Sequence, residues 1–150
     1  MNLVHEFSYS AMLKAPLPIG KVAAGTRVYL EVTEGVVEGE RFKGKVFGGG
    51  EWALLGANGF TQVDVRLQGQ THDGANFYMQ YGGLLESNQA VQNAVAAGGK
   101  TEFGEQYFFT QPRVEIGDER YAWMNTTFFV GEGRMIEGNG VEYRVYRVAN

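Results

Sequence analysis

The stretch FTQVDVRLQGQTHDGANFYMQYG, residues 60–82, decides the fold, because it holds two strand patterns joined by one turn. In its first half, apolar residues alternate with polar ones at Val63, Val65 and Leu67. Successive side chains of a β-strand point to opposite faces, so this alternation predicts a strand with one buried face. Asp73-Gly74 then supplies the positive φ angles of a tight turn. The stretch therefore predicts an antiparallel hairpin.

Extended segments punctuated by glycine continue on both sides of this hairpin. The chain has 22 glycines but only 3 prolines, and Asn58-Gly59 and Asn139-Gly140 offer two further hairpin turns. Short β-rich segments separated by such turns are typical of antiparallel sheets. We predict nine strands, near residues 2–13, 26–32, 36–47, 51–56, 60–72, 75–82, 105–115, 121–131 and 141–149.

One alanine-rich segment, Ser87–Gly98, departs from the strand pattern and predicts a short helix. Asn88 can cap its start, and Val91 and Val95 lie four residues apart on one face. We predict an all-β fold, a single closed antiparallel β-barrel of about nine strands with this one short helix. Closure removes exposed strand edges, which favours a barrel over the alternative, a two-sheet sandwich. We expect one domain over residues 1–150.

Composition narrows the function classes. The absence of cysteine excludes a disulfide scaffold, a thiolate nucleophile and a cysteine-based metal site. A net charge of -4 argues against a nucleic-acid partner, which normally meets a basic face. No apolar run reaches the roughly 20 residues of a membrane span, so we expect no membrane partner. The first residues lack a signal-peptide pattern, and the cytoplasm is the expected location.

Familiar metal and cofactor motifs are missing. His5 and His72 are far apart in the sequence, and no H-x-H or H-E-x-x-H spacing occurs, so we expect no metal site. Gly48-Gly49-Gly50 lacks the frame of a phosphate-binding loop, and we interpret it as a bend or bulge. Serine hydrolysis is excluded by the absence of G-x-S-x-G. We therefore expect no cofactor.

Several motifs, in order along almost the whole chain, resemble the DUF3237 family, also called the UPF0311 proteins. They are VEGERFKGKVFGGGEW (37–52), VDVR (63–66), THDG (71–74), YFFTQPR (107–113), RYAWMN (120–125), FVG (129–131) and VEYRVY (141–146). The resemblance implies a single β-barrel domain, often found as a homo-oligomer, and leaves the activity unassigned. Two positions depart from the family pattern. Glu51 replaces the usual Asp before Trp52, and Val114-Glu115-Ile116 replaces Phe-Glu-Thr.

A barrel of this size can hold one small ligand, and the aromatic residues suggest how such a site is lined. Asp64 and Arg66 lie two apart on one strand face, where they can serve as a general acid or base and its charge partner. Their alternative position is the solvated outer face, with the valines inside. Asn125 and Tyr78 are candidate donors to a developing oxyanion. A strand-end hydrogen bond is the alternative for Asn125.

The remaining candidates line a ligand site. Trp52 and Trp123 can stack on a flat ring, and Tyr121 shares the predicted strand face of Trp123. Glu115 and His5 supply ionisable groups, although a lone histidine is more often part of the core. These residues predict a small-molecule-binding barrel with two hypotheses for its function. The first is a cofactor-independent isomerase or lyase for a small aromatic or carbonyl-bearing compound, and the second is a non-catalytic carrier.

Overall fold

Nine antiparallel strands form one sheet in the order β1-β9-β8-β7-β6-β5-β4-β3-β2, and β1 also pairs with β3. The computed structural model describes all residues 1–150. The elements are β1 Asn2–Leu13, β2 Leu17–Val22, β3 Gly25–Gly39, β4 Gly44–Leu55, β5 Phe60–Thr71, β6 Asn76–Glu86, α1 Gln89–Ala97, β7 Phe108–Ile116, a 3₁₀ helix Glu119–Thr126, β8 Phe129–Ile136 and β9 Gly140–Ala149.

The pairing of β1 with β3 closes eight strands into a barrel. Strand β2 lies outside the closure and pairs only with the first residues of β3. The prediction of an all-β, closed antiparallel barrel with one short helix is therefore confirmed, and the sandwich alternative is wrong. Helix α1 begins after Asn88, whose side chain accepts a hydrogen bond from the Val91 backbone, and it ends at Gly98 in the left-handed region. Val91 and Ala94 are its buried residues.

Strand β5 fixes which side chains fill the barrel. Val63, Val65 and Leu67 are buried, as their alternation predicts, and they belong to one continuous core. Around them the interior is largely aromatic. Its fully buried rings are Phe7, Tyr9, Phe42, Tyr81, Phe129 and Tyr143. Edge-to-face contacts join many of these rings, with centroids 5.1 Å apart for Phe7 and Phe42 and 5.6 Å apart for Phe7 and Phe129.

Three segment predictions need correction, and one strand is missing from them. The segments predicted near 36–47 and 51–56 are parts of β3 and β4, because the chain turns between Gly39 and Gly44 rather than beyond residue 47. The missing strand is β2, because a proline within a short segment normally argues against a strand. The predicted strand 121–131 is wrong over its first half, which is the 3₁₀ helix.

The 3₁₀ helix closes the barrel end where β1 begins. Asp118 caps it by accepting a hydrogen bond from the backbone of Arg120. Tyr121 is buried from its third position, and its hydroxyl donates to Asp73 over 2.8 Å. The 3₁₀ helix therefore covers this end of the core and is tied to the β5–β6 turn. Helix α1 lies at the opposite end, between β6 and β7.

Candidate functional site

Glu51 places a carboxyl group inside the barrel. It lies opposite Val65 on β5 and opposite Leu30 on β3. Directly opposed residues of antiparallel strands point to the same face, and Val65 is fully buried, so Glu51 faces the interior. The residue as a whole is half-buried, whereas Val65 is fully buried. The barrel interior therefore contains an ionisable group among apolar neighbours.

A bulge in β4 is the reason that Glu51 faces inward. The register with β5 shifts between Val46 and Gly48, and Gly48 and Gly49 both have φ of 144°. A β-bulge inserts one extra residue and exchanges the faces of all later side chains. A Cβ at Gly49 would lie 2.2 Å from the Arg66 carbonyl oxygen, so only glycine fits there. The interpretation of this glycine run as a bulge is confirmed.

Three buried tyrosines share the interior with Glu51. The rings of Tyr9 and Tyr143 are stacked with centroids 4.9 Å apart, and Tyr81 meets them edge-on at 5.8 and 5.3 Å. Burial is the main cause that raises the pKa of all three phenols, and the charge of Glu51 contributes. They are therefore neutral hydrogen-bond donors. The buried Tyr9 hydroxyl interacts with the Tyr81 hydroxyl, but the two groups do not reach the distance and angle of a hydrogen bond.

The electrostatics of Glu51 suit proton transfer. Burial raises the pKa of its carboxyl from 4.5 to about 7, and the negative charge of Asp64 adds to the rise. A group with this pKa is present in both protonation states near neutral pH. Such a perturbed carboxyl in a concave site is a common mark of acid–base function.

A cavity of about 530 Å³ opens at the barrel end that carries α1. Its walls come from α1, from the segment that joins β1 to β2, and from the β8–β9 turn. Leu30 in its lining is the cross-strand neighbour of Glu51. Val141 in its lining lies two residues before Tyr143 on the same face of β9. Glu51 and the three tyrosines are not in the lining themselves, so the cavity reaches only their neighbours in the sheet.

The structure places two of the predicted catalytic residues on the outer face of the barrel. Asp64 is half-buried and Arg66 is exposed, because the valines of β5 occupy the inner face. This is the alternative position that the alternation left open. Tyr78 also points outward, opposite the exposed Glu115 on β7.

Trp52 faces outward as well, because the bulge exchanges its face with that of Glu51. It is 40% exposed, and its ring lies 5.2 Å from that of Tyr29. Sequence reasoning treated Glu51 only as a departure from a family pattern. The glycine run before it is the signal that could have identified it as an interior residue.

Asn125 belongs to the 3₁₀ helix, where its side-chain amide already makes hydrogen bonds with the backbone. Its side-chain amide donates to the Ile116 carbonyl over 2.9 Å, and its oxygen accepts from the Ile116 backbone N–H over 2.9 Å. It donates a further hydrogen bond to Ala122. The alternative of a strand-end hydrogen bond is therefore what the structure shows, and no donor is left for an oxyanion.

Replacing Asn125 by alanine is expected to lower the free energy of unfolding by about 2 kcal/mol, because two backbone groups of Ile116 lose their partner. Urea unfolding followed by circular dichroism measures the change. Thr126→Ala is the matched control, since the Thr126 hydroxyl makes only a 3.4 Å contact with Trp123. Equal stability of the two variants would contradict this structural role.

The last three predicted ligand residues lie at the end closed by the 3₁₀ helix. Tyr121 is buried there, Trp123 packs under the guanidinium of Arg41, and His5 is exposed with its ring near Tyr146. His5 and Trp123 line the same cavity, which is distinct from the one at the α1 end of the barrel. The structure thus brings these two together and separates them from the residues of the outer face.

Asp64→Asn is expected to lower the pKa of Glu51, because the charge that helps to raise it is removed. The shift should be smaller than the one due to burial, which is the larger cause. Carbon-13 NMR of labelled glutamate carboxyls measures it, with Glu51→Gln assigning the resonance. Glu115→Gln on the same outer face is the control, and an equal shift in both variants would exclude a specific Asp64 effect.

The structure contains no group of three or more His, Asp or Glu side chains that could hold a metal ion. None of its helices is long and apolar enough to span a membrane.

Comparison with protein families gives one match over nearly the whole chain. A family described as "Protein of unknown function (DUF3237)" matches residues 1–148. A UPF0311 protein of Clostridium acetobutylicum is 29% identical over 132 residues, which cover 87% of this chain and 84% of that protein. A UPF0311 protein of Bradyrhizobium diazoefficiens is 26% identical over 131 residues, covering 87% and 86%.

Solved structures share the fold. A protein of unknown function from Rhodopseudomonas palustris has a TM-score of 0.87 at 24% identity, covering 99% of this chain and 97% of its own. A β-barrel-like protein from Acinetobacter baumannii has a TM-score of 0.81 at 26% identity, with 99% and 96% covered. A protein described as an enzyme from Penicillium herquei has a TM-score of 0.73 at 21% identity, with 99% and 94% covered.

Proposed function

The chain belongs to the DUF3237 family, whose description names no function, and we propose a function from the interior of its barrel. It binds a small carbonyl-bearing compound, aromatic or not, and moves a proton on it as an isomerase or lyase. No cofactor takes part in the proposed reaction. Glu51 is the acid–base residue, and the tyrosine cluster of Tyr9, Tyr81 and Tyr143 supplies the donors.

The observation that carries this proposal is an inward carboxyl that shares the barrel interior with a buried phenol lacking a hydrogen-bond partner. A buried hydroxyl without a hydrogen bond costs free energy, and a chain tolerates it where a ligand atom completes it. The oxygen of a carbonyl compound is an acceptor of the required kind. A cavity of about 530 Å³ at the α1 end of the barrel lies within the range of small-molecule sites, and Leu30 in its lining is the cross-strand neighbour of Glu51.

The chemistry follows from the two kinds of group. The carboxylate of Glu51 removes a proton from the carbon next to the carbonyl group, and the electron pair of that C–H bond moves onto the carbonyl oxygen. The hydroxyl of Tyr9 donates a hydrogen bond to the oxygen as it becomes an enolate. Protonated Glu51 then returns the proton to a different carbon, which is an isomerisation, or to a group that leaves from the β carbon, which is an elimination.

Deuterium exchange tests the proposal without knowledge of the natural substrate. A panel of cyclohexanone, cyclohexenone and acetophenone is incubated with the protein in D₂O, and proton NMR follows loss of the α-proton signals. We expect exchange of at least one compound above the rate in buffer alone. Exchange that persists in Glu51→Gln would contradict the proposal.

The same samples separate the enzyme from the carrier. Saturation-transfer NMR reports binding of each compound whether or not a proton moves. Binding at the interior without exchange by any compound would favour a non-catalytic barrel. Exchange that is lost together with Glu51, while binding remains, supports the enzyme.

A further inference from the structure

A second cavity, of about 660 Å³, lies at the barrel end opposite the one that carries α1. It is formed by the start of β1, the end of β9 and the 3₁₀ helix, whereas the cavity at the α1 end includes the last residue of β1. Its lining is mostly polar. The proposed reaction uses none of these residues, so their arrangement needs a separate explanation.

Two arginines share one buried carboxylate in this cavity. The Glu6 side chain is only 6% exposed. Its two oxygens accept hydrogen bonds from Arg41 Nε over 2.7 Å and from Arg147 Nε over 3.0 Å. One negative charge therefore holds two positive charges in fixed positions. Together the three side chains carry one net positive charge, and both arginines are partly exposed to solvent.

The remaining hydrogen-bond donors of both arginines are free. Each guanidinium bonds Glu6 through Nε, and neither makes a hydrogen bond within the chain through its terminal nitrogens. The guanidinium of Arg41 also lies over the Trp123 ring, 3.8 Å from its centroid, which fixes its plane. Two oriented guanidinium groups with free outer edges form a ready site for a planar anion.

Apolar residues border the same cavity. Val4 is 38% exposed and Phe128 is 58% exposed, and both belong to the lining. Such side chains bury an apolar ligand body while the arginines hold its charged group. Glu40, also in the lining, is exposed, so water screens its charge more than that of Glu6.

We propose that this cavity is a second ligand site, which binds a small organic monocarboxylate through Arg41 and Arg147. A single negative charge matches the one positive charge that Glu6 leaves uncompensated. The apolar rim favours a carboxylate attached to a hydrocarbon ring or chain over an inorganic anion. His5 faces the same cavity and already bonds Ser8 through its Nε2 atom.

Fluorescence of Trp123 tests this site directly. The chain has two tryptophans, so Trp52→Phe leaves Trp123 as the single reporter. Sodium benzoate is titrated into this protein, with benzamide and inorganic phosphate as comparison probes. We expect benzoate to bind at least tenfold more tightly than either of them. Equal affinity for benzamide would exclude recognition of charge, and equal affinity for phosphate would exclude an organic carboxylate.

Three variants in the same background separate binding from folding. Arg147→Lys keeps the charge beside Glu6 but loses the planar donor edge, and we expect at least fivefold weaker benzoate binding. Glu40→Gln changes only an exposed residue and removes a repelling charge, so binding should tighten about threefold at low salt. Glu51→Gln lies at the other end of the barrel and should leave the affinity unchanged.

Each of the opposite results overturns the proposal. Unchanged affinity in Arg147→Lys would mean that the arginines serve only to neutralise Glu6. Unchanged or weaker binding in Glu40→Gln would show that the ligand does not sense the charge of this cavity. Loss of benzoate binding in Glu51→Gln would place benzoate inside the barrel instead.

Discussion

Replacing Glu51 by glutamine is expected to reduce deuterium exchange of an active ketone by at least about a hundredfold, which is the usual contribution of a positioned general base. The amide has nearly the same shape as the carboxyl, but it cannot accept the proton. Because the reaction needs the carboxylate, the wild-type rate should rise with pH through the pKa of about 7 and then become constant. Proton NMR in D₂O buffers measures both effects. A pH-independent wild-type rate would contradict this role.

Two conservative variants test the two groups of the proposed reaction, the carboxyl and the phenol. Glu51→Asp keeps a carboxyl group and should retain more exchange than Glu51→Gln. Tyr9→Phe removes a hydroxyl that has no partner in the chain, so its stability should not fall. Its exchange rate should nevertheless fall by at least about tenfold, because the enolate oxygen loses a donor. A loss of stability without a loss of exchange would assign the hydroxyl to the fold instead.

The stability of the wild-type protein is expected to fall between pH 4.5 and pH 7 because of Glu51. Its folded-state pKa of about 7 lies above the ordinary value of 4.5. The unfolded chain therefore releases this proton at a lower pH than the folded chain. The contribution of Glu51 is fully present below pH 4.5 and is lost as pH rises through 7. The difference of about 2.5 pH units corresponds to at most about 3 kcal/mol, and solvent access reduces it.

Glu51→Gln removes this dependence, since glutamine does not titrate. The variant should be more stable than the wild type at pH 8 by about 2–3 kcal/mol, and the two should differ little at pH 4. Urea unfolding at both pH values measures the difference. Glu115→Gln, an exposed change of the same chemistry, should follow the wild type at both. Equal stability of Glu51→Gln and wild type at pH 8 would show that the interior carboxyl is not raised in pKa.

The barrel itself could be predicted from sequence because its signals are local. The alternation at Val63, Val65 and Leu67 identifies the buried face of β5, and Asp73-Gly74 marks its turn. The helix after Asn88 was likewise marked by its cap and by the glycine that ends it. These features depend on neighbouring residues only, so a single sequence reveals them.

The candidate site was harder to predict because it depends on register. Counting alternate residues along β4 from Val46 puts Trp52 inside, and the bulge puts Glu51 there instead. The alternation of Tyr121, Trp123 and Asn125 also imitates a strand. There the Asn125 side chain accepts a hydrogen bond from the Ile116 backbone and Asp118 accepts one from the Arg120 backbone, and both favour a 3₁₀ helix instead. Both errors arise where a backbone irregularity overrides side-chain periodicity.

The bulge also makes the chemistry of the barrel sensitive to chain length. If Gly50, which lies between the bulge and Glu51, were deleted while the bulge itself was kept, the following side chains would exchange faces, and an indole would take the place of the carboxyl group. The composition of the strand would hardly change, and the barrel would still contain a large apolar ring at its centre. A deletion of three nucleotides in the gene can therefore do more to this site than most amino-acid replacements.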